Sequence, residues 1–275
     1  RIHFASDLHL EYLNKRFPEY IRVDRLYTPF ADILVLAGDI HVGTQMVDQF
    51  GRWPHPVLYV PGNHEFYDTA IEPQIEKIRA AAENTALVVL AQDEFIAHGV
   101  RFLGCTLWPD YQLMGTGGRQ LASMLACEAR IADHRKIMGI QKVGQGFSAQ
   151  QAFERHQEEK AWLAKKLDEP FDGKTVVITH HAPSRGSVHP RFRGDPCNAA
   201  CVSELDDLVM KADFWIPGHV HDSFDYMVGK CRVMTNPGSY ATTLGKVKRT
   251  RSSSSPATAR SSTRPGPATS SAFPI

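Results

Sequence analysis

Five short apolar runs in this chain each end abruptly in a polar cluster. Ile2–Ala5 leads into Ser6-Asp7-Leu8-His9, and Ile33–Ala37 into Gly38-Asp39. Val57–Val60 leads into Pro61-Gly62-Asn63-His64-Glu65, and Thr175–Thr179 into His180-His181. Phe214–Ile216 leads into Pro217-Gly218-His219-Val220-His221. Short apolar, β-branched runs bounded by Gly or Pro read as buried strands. Each therefore delivers metal-type side chains at its carboxyl end, where open α/β sheets place their ligand sites.

Helical patterns lie between the strands. Thr69-x-x-Glu72 fits a capping box opening a helix through about Glu83. Ser148-x-x-Gln151 fits a second, with Phe153, His156, Lys160, Leu163 and Leu167 on one stripe. Ser203 is expected to cap Glu204–Lys211, and residues 119–137 to be helical between the loops Gly115–Gly118 and Gly139–Gly146. Phe102–Leu107 and Arg232–Met234 read as further strands, and Asn236-Pro237-Gly238-Ser239 as a turn.

The 275 residues, 43% of them hydrophobic, suffice for one sizeable core. From about Gly245 the composition shifts to Ser, Thr, Pro, Ala and Arg, which cannot bury a core. The expected organisation is one domain over residues 1–245 and a disordered or non-native tail over 246–275. The tail holds six basic residues and no acid, so a net charge of +1 for the chain leaves about −5 for residues 1–245. Such a body is no obvious nucleic-acid binder, and nucleic acid enters only as a substrate. The five cysteines are odd in number and form no CxxC pair, which reads as reduced thiols in the cytoplasm. No apolar run approaches membrane-spanning length, and no signal-peptide pattern opens the sequence.

Taken singly, the polar clusters are weak. Asp-x-His occurs by chance, Gly-Asp commonly marks a turn, and Asn63 could simply cap a helix. On extended backbone, Asp7 and His9 would share a face, as would His219 and His221. Five independent coincidences at five strand ends are much harder to accept. Together the clusters supply carboxylate, imidazole and amide oxygen donors, a mixed set suited to Zn, Fe or Mn.

The order Asp7-x-His9, Gly38-Asp39, Gly62-Asn63-His64-Glu65, His180 and Gly218-His219-Val220-His221 resembles the calcineurin-like metallophosphoesterase superfamily. The resemblance spans residues 1 to about 241 and includes the Asn236-Pro237-Gly238-Ser239 turn. It implies a four-layer α/β/β/α sandwich, with two central mixed β-sheets flanked by helices. It also implies two divalent or trivalent metal ions. Asp7, His9 and His221 resemble the ligands of the first, and Asn63, His180 and His219 those of the second. Asp39 resembles the bridging carboxylate, and His64 the catalytic histidine that touches substrate without binding metal. His180 and His181 point to opposite faces of a continuing strand, so one alone serves; His180, first after the apolar run, is the choice.

The chemistry expected of such a centre is hydrolysis of a phosphomonoester or phosphodiester. A bridging carboxylate holds two cations roughly 3.5–4 Å apart, and a hydroxide between them attacks phosphorus. His64 would assist the leaving group. In the loop Ser184–Cys201, Arg185 and Arg191 are weaker candidates for gripping a phosphate, against the alternative of a solvated basic loop. Two other readings compete: a non-catalytic protein-binding module on the same fold, and a metal-dependent nuclease.

Overall fold

The computed structural model describes residues 1–12, 30–139 and 146–238, together with the backbone of Ala272–Phe273. The first sheet holds β1 (Ile2–Ala5), β2 (Ile33–Ala37), β3 (Val57–Val60) and β4 (Leu87–Val89), all parallel and in sequence order. The second holds β5 (Asp93–Ala97), β6 (Val100–Cys105), β7 (Lys174–Thr179), β8 (Phe214–Ile216), β9 (Asp225–Val228) and β10 (Cys231–Met234), in the order β5-β6-β7-β8-β10-β9. Its inner pairs β6–β7, β7–β8 and β8–β10 are parallel, and its two edge strands are antiparallel. A short strand β11 (Ala272–Phe273) pairs antiparallel with β1. The rest of the 246–275 tail lies outside the described residues, as do Ser239 and most of the Gly139–Gly146 loop.

Both faces of the inner strands are buried, which is why their sequences are continuous apolar runs rather than alternating ones. Ile33, Val35 and Ala37 of β2 face the other sheet, meeting Val176 and Ile178 of β7. Leu34 and Leu36 of β2 face outward onto α1 (Met46–Phe50) and α2 (Ile71–Ala82), through Met46, Phe50 and Ile78. On the far side, Val177 and Trp215 lie under α5 (Ala149–Asp168) and α6 (Asp206–Val209), through Leu163 and Leu208. The layers therefore run helix, sheet, sheet, helix, as the motif order implies. A fourth apolar cluster, around Phe66, Trp108 and Phe147, seats α3 (Gly118–Arg130) and α4 (Asp133–Lys136).

Three local expectations need correction. The Ser148–Gln151 capping box is present in full, but Thr69 caps nothing. Its amide bonds back to Phe66 O, and the cap position falls one residue later, at Ala70, so that α2 starts at Ile71. Ser203 likewise does not cap; α6 is a single turn behind Leu205. The helix expected over 119–137 breaks at Ile131, whose φ of −83° and ψ of 136° are extended, and α4 restarts at Asp133.

Candidate metal centre

The carboxyl ends of β1, β2, β3, β7 and β8 converge on one region, and short backbone hydrogen bonds tie their loops together. Asp7 N–H donates to Gly38 O at 2.9 Å, His9 N–H to Asp39 O at 3.0 Å, and Gly218 N–H to His180 O at 2.9 Å. The 236–238 turn closes the arrangement, with Gly238 N–H donating to Ser6 O at 2.8 Å. The chain is not extended at the donors, contrary to the expectation from their spacing. Asp7, His9, Asp39, His219 and His221 have φ of 52°, 46°, 55°, 66° and 52°. All five occupy the left-handed region that non-glycine residues rarely adopt.

Three donor groups result among the described residues; one is His9, Glu11 and His64, and the other two have one carboxylate in common. Of those two, Asp7, His9, Asp39 and His221 form the first, and Asp39, His180 and His219 the second. His9 Nε2 lies 3.1 Å from His221 Nε2 and 3.7 Å from Asp39 Oδ2. His221 Nε2 lies 3.3 Å from Asp7 Oδ1. In the second group His180 Nε2 faces Asn63 Oδ1 at 2.8 Å, His219 Nδ1 at 3.1 Å and Asp39 Oδ1 at 3.3 Å. His180 Nδ1 is directed at Ala37 O, 3.0 Å away, which fixes the proton on that nitrogen. Its neighbour His181 turns instead toward Thr106 O at 3.2 Å.

The ionisation states suit a cation. Burial holds the His180 imidazole down at about 4, and burial with the nearby His181 and His180 holds His219 well below its ordinary value. Both are therefore neutral near pH 7, the form that ligates. A neutral His180 with its proton on Nδ1 turns an Nε2 lone pair toward Asn63 Oδ1, a contact that repels unless a positive ion joins the two. Asp39 carries the same signature. Burial, then the charges of Glu65 and Asp7, push its carboxyl well above the ordinary range, so a cation beside it would favour its charged form. These residues thus fit metal ions.

His64 lies beside the shared carboxylate, its Nε2 3.7 Å from Asp39 Oδ2. Three acids that the motifs did not assign hold the site in place. Glu11 Oε1 accepts from His64 Nδ1 at 3.0 Å and from His9 Nδ1 at 3.2 Å. Burial opposes its charge, yet the hydrogen bonds from His64 and His9 hold its carboxyl at about 2. Glu65 is fully buried and accepts the backbone N–H groups of Asp39 at 3.1 Å, Ile40 at 2.8 Å and Gly62 at 2.8 Å, joining the β2 and β3 loops. Asp133, far along the chain, accepts from Asn63 Nδ2 at 2.8 Å. The alternation Asp7-x-His9-x-Glu11 could have flagged Glu11, and Glu65 stood inside a quoted motif; nothing in the sequence pointed to Asp133.

The two arginines are differently placed. Arg185 holds Glu204 through two hydrogen bonds of 3.1 and 2.9 Å and donates to Leu113 O at 2.6 Å, which makes it a tie between loops. Arg191 pairs with Asp222, the residue after His221, and its guanidinium lies 4.6 Å from the Phe192 ring. Trp108 is packing, buried edge-on against Phe147 with ring centroids 4.8 Å apart.

Two face-to-face sheets carrying buried His, Asp and Asn donors at their strand ends define an α/β framework able to hold metal. The chain belongs to the calcineurin-like phosphoesterases, a metal-dependent family whose pattern matches residues 1–223. Among solved structures, phosphopantetheinyl hydrolase from Mycobacterium tuberculosis shares the fold at 17% identity and a TM-score of 0.64, over 87% of this chain and 89% of that one. A dimetal phosphatase from Danio rerio aligns over 86% of this chain and 87% of its own, at 15% identity and a TM-score of 0.41. No curated protein matches the chain in sequence. Among the described residues no helix is long and apolar enough to cross a membrane.

Proposed function

We propose that the chain hydrolyses a phosphomonoester or phosphodiester at a two-metal centre held by Asp7, His9, Asp39, Asn63, His180, His219 and His221. The observation that carries this reading is the shared carboxylate: Asp39 offers Oδ1 toward His180 and Oδ2 toward His9. When bound, two such ions (Mn, Fe or Zn) supply Lewis-acid activation of water and of the phosphoryl group. The chain's own residues arrange the rest. Glu11 accepts a hydrogen bond from His64 Nδ1–H, which orients the ring; Nε2 carries a proton for the leaving oxygen only when both ring nitrogens are protonated. Glu65 fixes the Asp39 and Gly62 amides, so the shared carboxylate does not have to reorganise during the reaction. The free state of all five cysteines supports a reducing compartment such as the cytoplasm.

The test is a panel of p-nitrophenyl phosphate, bis-p-nitrophenyl phosphate, cyclic nucleotides, phosphopeptides and single-stranded DNA, offered to metal-stripped and metal-loaded protein. Turnover restored by Mn, Fe or Zn is the expected result. Metal-loaded protein inert toward every ester would instead favour the non-catalytic binding module, and cleavage of DNA alone would favour the nuclease.

A further inference from the structure

Asn63 differs from the other proposed ligands in one respect. A carboxylate offers a lone pair at either oxygen, and an imidazole can move its proton to the other nitrogen, but a primary amide has two ends of nearly the same shape that cannot exchange roles. One end presents Oδ1, which can ligate a cation. The other presents two N–H donors, which cannot. Something outside the amide must choose between them.

Asp133 is placed to make that choice. Asn63 Nδ2 donates to Asp133 Oδ1 at 2.8 Å, while Asn63 Oδ1 faces His180 Nε2 at 2.8 Å. A carboxylate can only accept, so it holds the NH₂ end on its own side and leaves the oxygen toward the donor group. Asp133 is 7% exposed and does not cap its own helix, since α4 begins behind Ala132 with no side-chain cap. The C-terminal end of the α4 backbone is pinned by two neighbouring segments. Asp68 N–H donates to Lys136 O at 2.6 Å, Met138 N–H to Thr69 O at 2.9 Å and Phe147 N–H to Ile137 O at 2.9 Å. The same Asp133 oxygen accepts from the Tyr67 hydroxyl at 2.8 Å. The Tyr67 ring lies 4.3 Å from that of His64, centroid to centroid. One carboxylate therefore steadies both a proposed ligand and the wall beside His64.

We propose that Asp133 is a positioning residue that orients the Asn63 amide so that its oxygen, not its nitrogen, meets the metal bound by His180, His219 and Asp39. The inference rests on the metal-ligand reading above and extends it to a residue with no sequence signal.

The experiment is calorimetric titration of the metal-free protein with Mn²⁺ alone, alongside thermal melting of the metal-free form. Asp133→Asn can donate as well as accept, so it tolerates either amide orientation; Asp133→Ala removes the partner altogether. Both should leave one ion at wild-type affinity and weaken the other about 10- to 100-fold, the usual scale for losing an outer hydrogen-bond partner of a ligand. Tyr67→Phe removes the second donor to Asp133, together with the longer 3.5 Å contact from Asn63 Nδ2, and should weaken the same ion far less than either Asp133 variant. Wild-type affinity for both ions in the two Asp133 variants would overturn the proposal. So would equal weakening of both ions together with a fall in the metal-free melting temperature, which marks a general structural role. Because the titration contains no substrate, a chain inert toward every ester would refute the functional reading while leaving this result in force.

Discussion

Gly62→Ala isolates how closely the β3 loop packs on the shared carboxylate. The φ of Gly62 lies outside the left-handed region that disfavours a side chain, so the effect of alanine there is steric. A methyl carbon there would lie 2.5 Å from the Asp39 amide nitrogen, 2.8 Å from His180 Cε1 and closer still to Asp39 Oδ1. Ordinary contacts for such atoms begin near 3.4 Å, so Asp39 and His180 must retreat by roughly 1 Å in a core of crystal-like density. Overpacking of that kind costs about 1–3 kcal/mol, and for a chain of this size each kcal/mol lowers Tm by about 2–4 °C. The displacement matters more for function, because a misplacement of about 1 Å costs on the order of 100-fold in rate. Scanning calorimetry, metal analysis and kcat on bis-p-nitrophenyl phosphate read the three effects. Gly118→Ala is the control, since a methyl there meets nothing within 4 Å. Full metal content and turnover within about threefold of wild type in Gly62→Ala would refute the claim that this loop sets the Asp39–His180 geometry.

Three further outcomes follow from the same structure. His64→Ala should keep its metal and lose about 10²–10⁴-fold on alkyl phosphate esters but clearly less on p-nitrophenyl esters, whose leaving group needs no proton; equal losses on both would assign charge stabilisation instead. Glu65→Gln turns two N–H donors toward backbone amides that the carboxylate now accepts, leaving about two of them unpaired at about 1–3 kcal/mol each; urea unfolding that detects less than about 1 kcal/mol in total would sink that role. Burial pushes Glu159 up to about 7 from an ordinary 4.5, so its contribution to stability is full below pH 4.5 and fades as pH rises through 7. Glu159→Gln keeps an acceptor for the Trp108 amide and should flatten that fall, which amounts to about 3 kcal/mol; an unchanged pH–stability curve would show that Glu159 ionises freely in the folded state.

The parts of this fold legible in the sequence are those buried on both faces. β1, β2, β3 and β8 have the boundaries their apolar runs suggest, because nothing but a covered strand tolerates such a run. The edge strands β5 and β9 were not legible. Asp93–Ala97 and Asp225–Val228 bury only part of their side chains and carry acids, so their pattern matches a loop as well as a strand. At the centre, residue types at strand ends were enough to nominate the donors, and the reason they converge was not. Spacing two residues apart suggested a common strand face, whereas the donors turn inward through left-handed backbone. Glu11 and Asp133 act through other side chains, and a partner 70 residues away from Asn63 leaves no periodic trace.

The left-handed backbone at Asp7, His9, Asp39, His219 and His221 also bears on how such a chain can evolve. Each position carries strain on the order of 1–3 kcal/mol that glycine would relieve and asparagine would lessen. Asp to Gly and His to Asn are both single-base changes. Selection for a sturdier molecule alone therefore draws these five codons away from the residues they now encode. Descendants freed from hydrolysis can keep the sandwich, gain stability and lose the donors one base at a time, becoming scaffolds that bind without reacting.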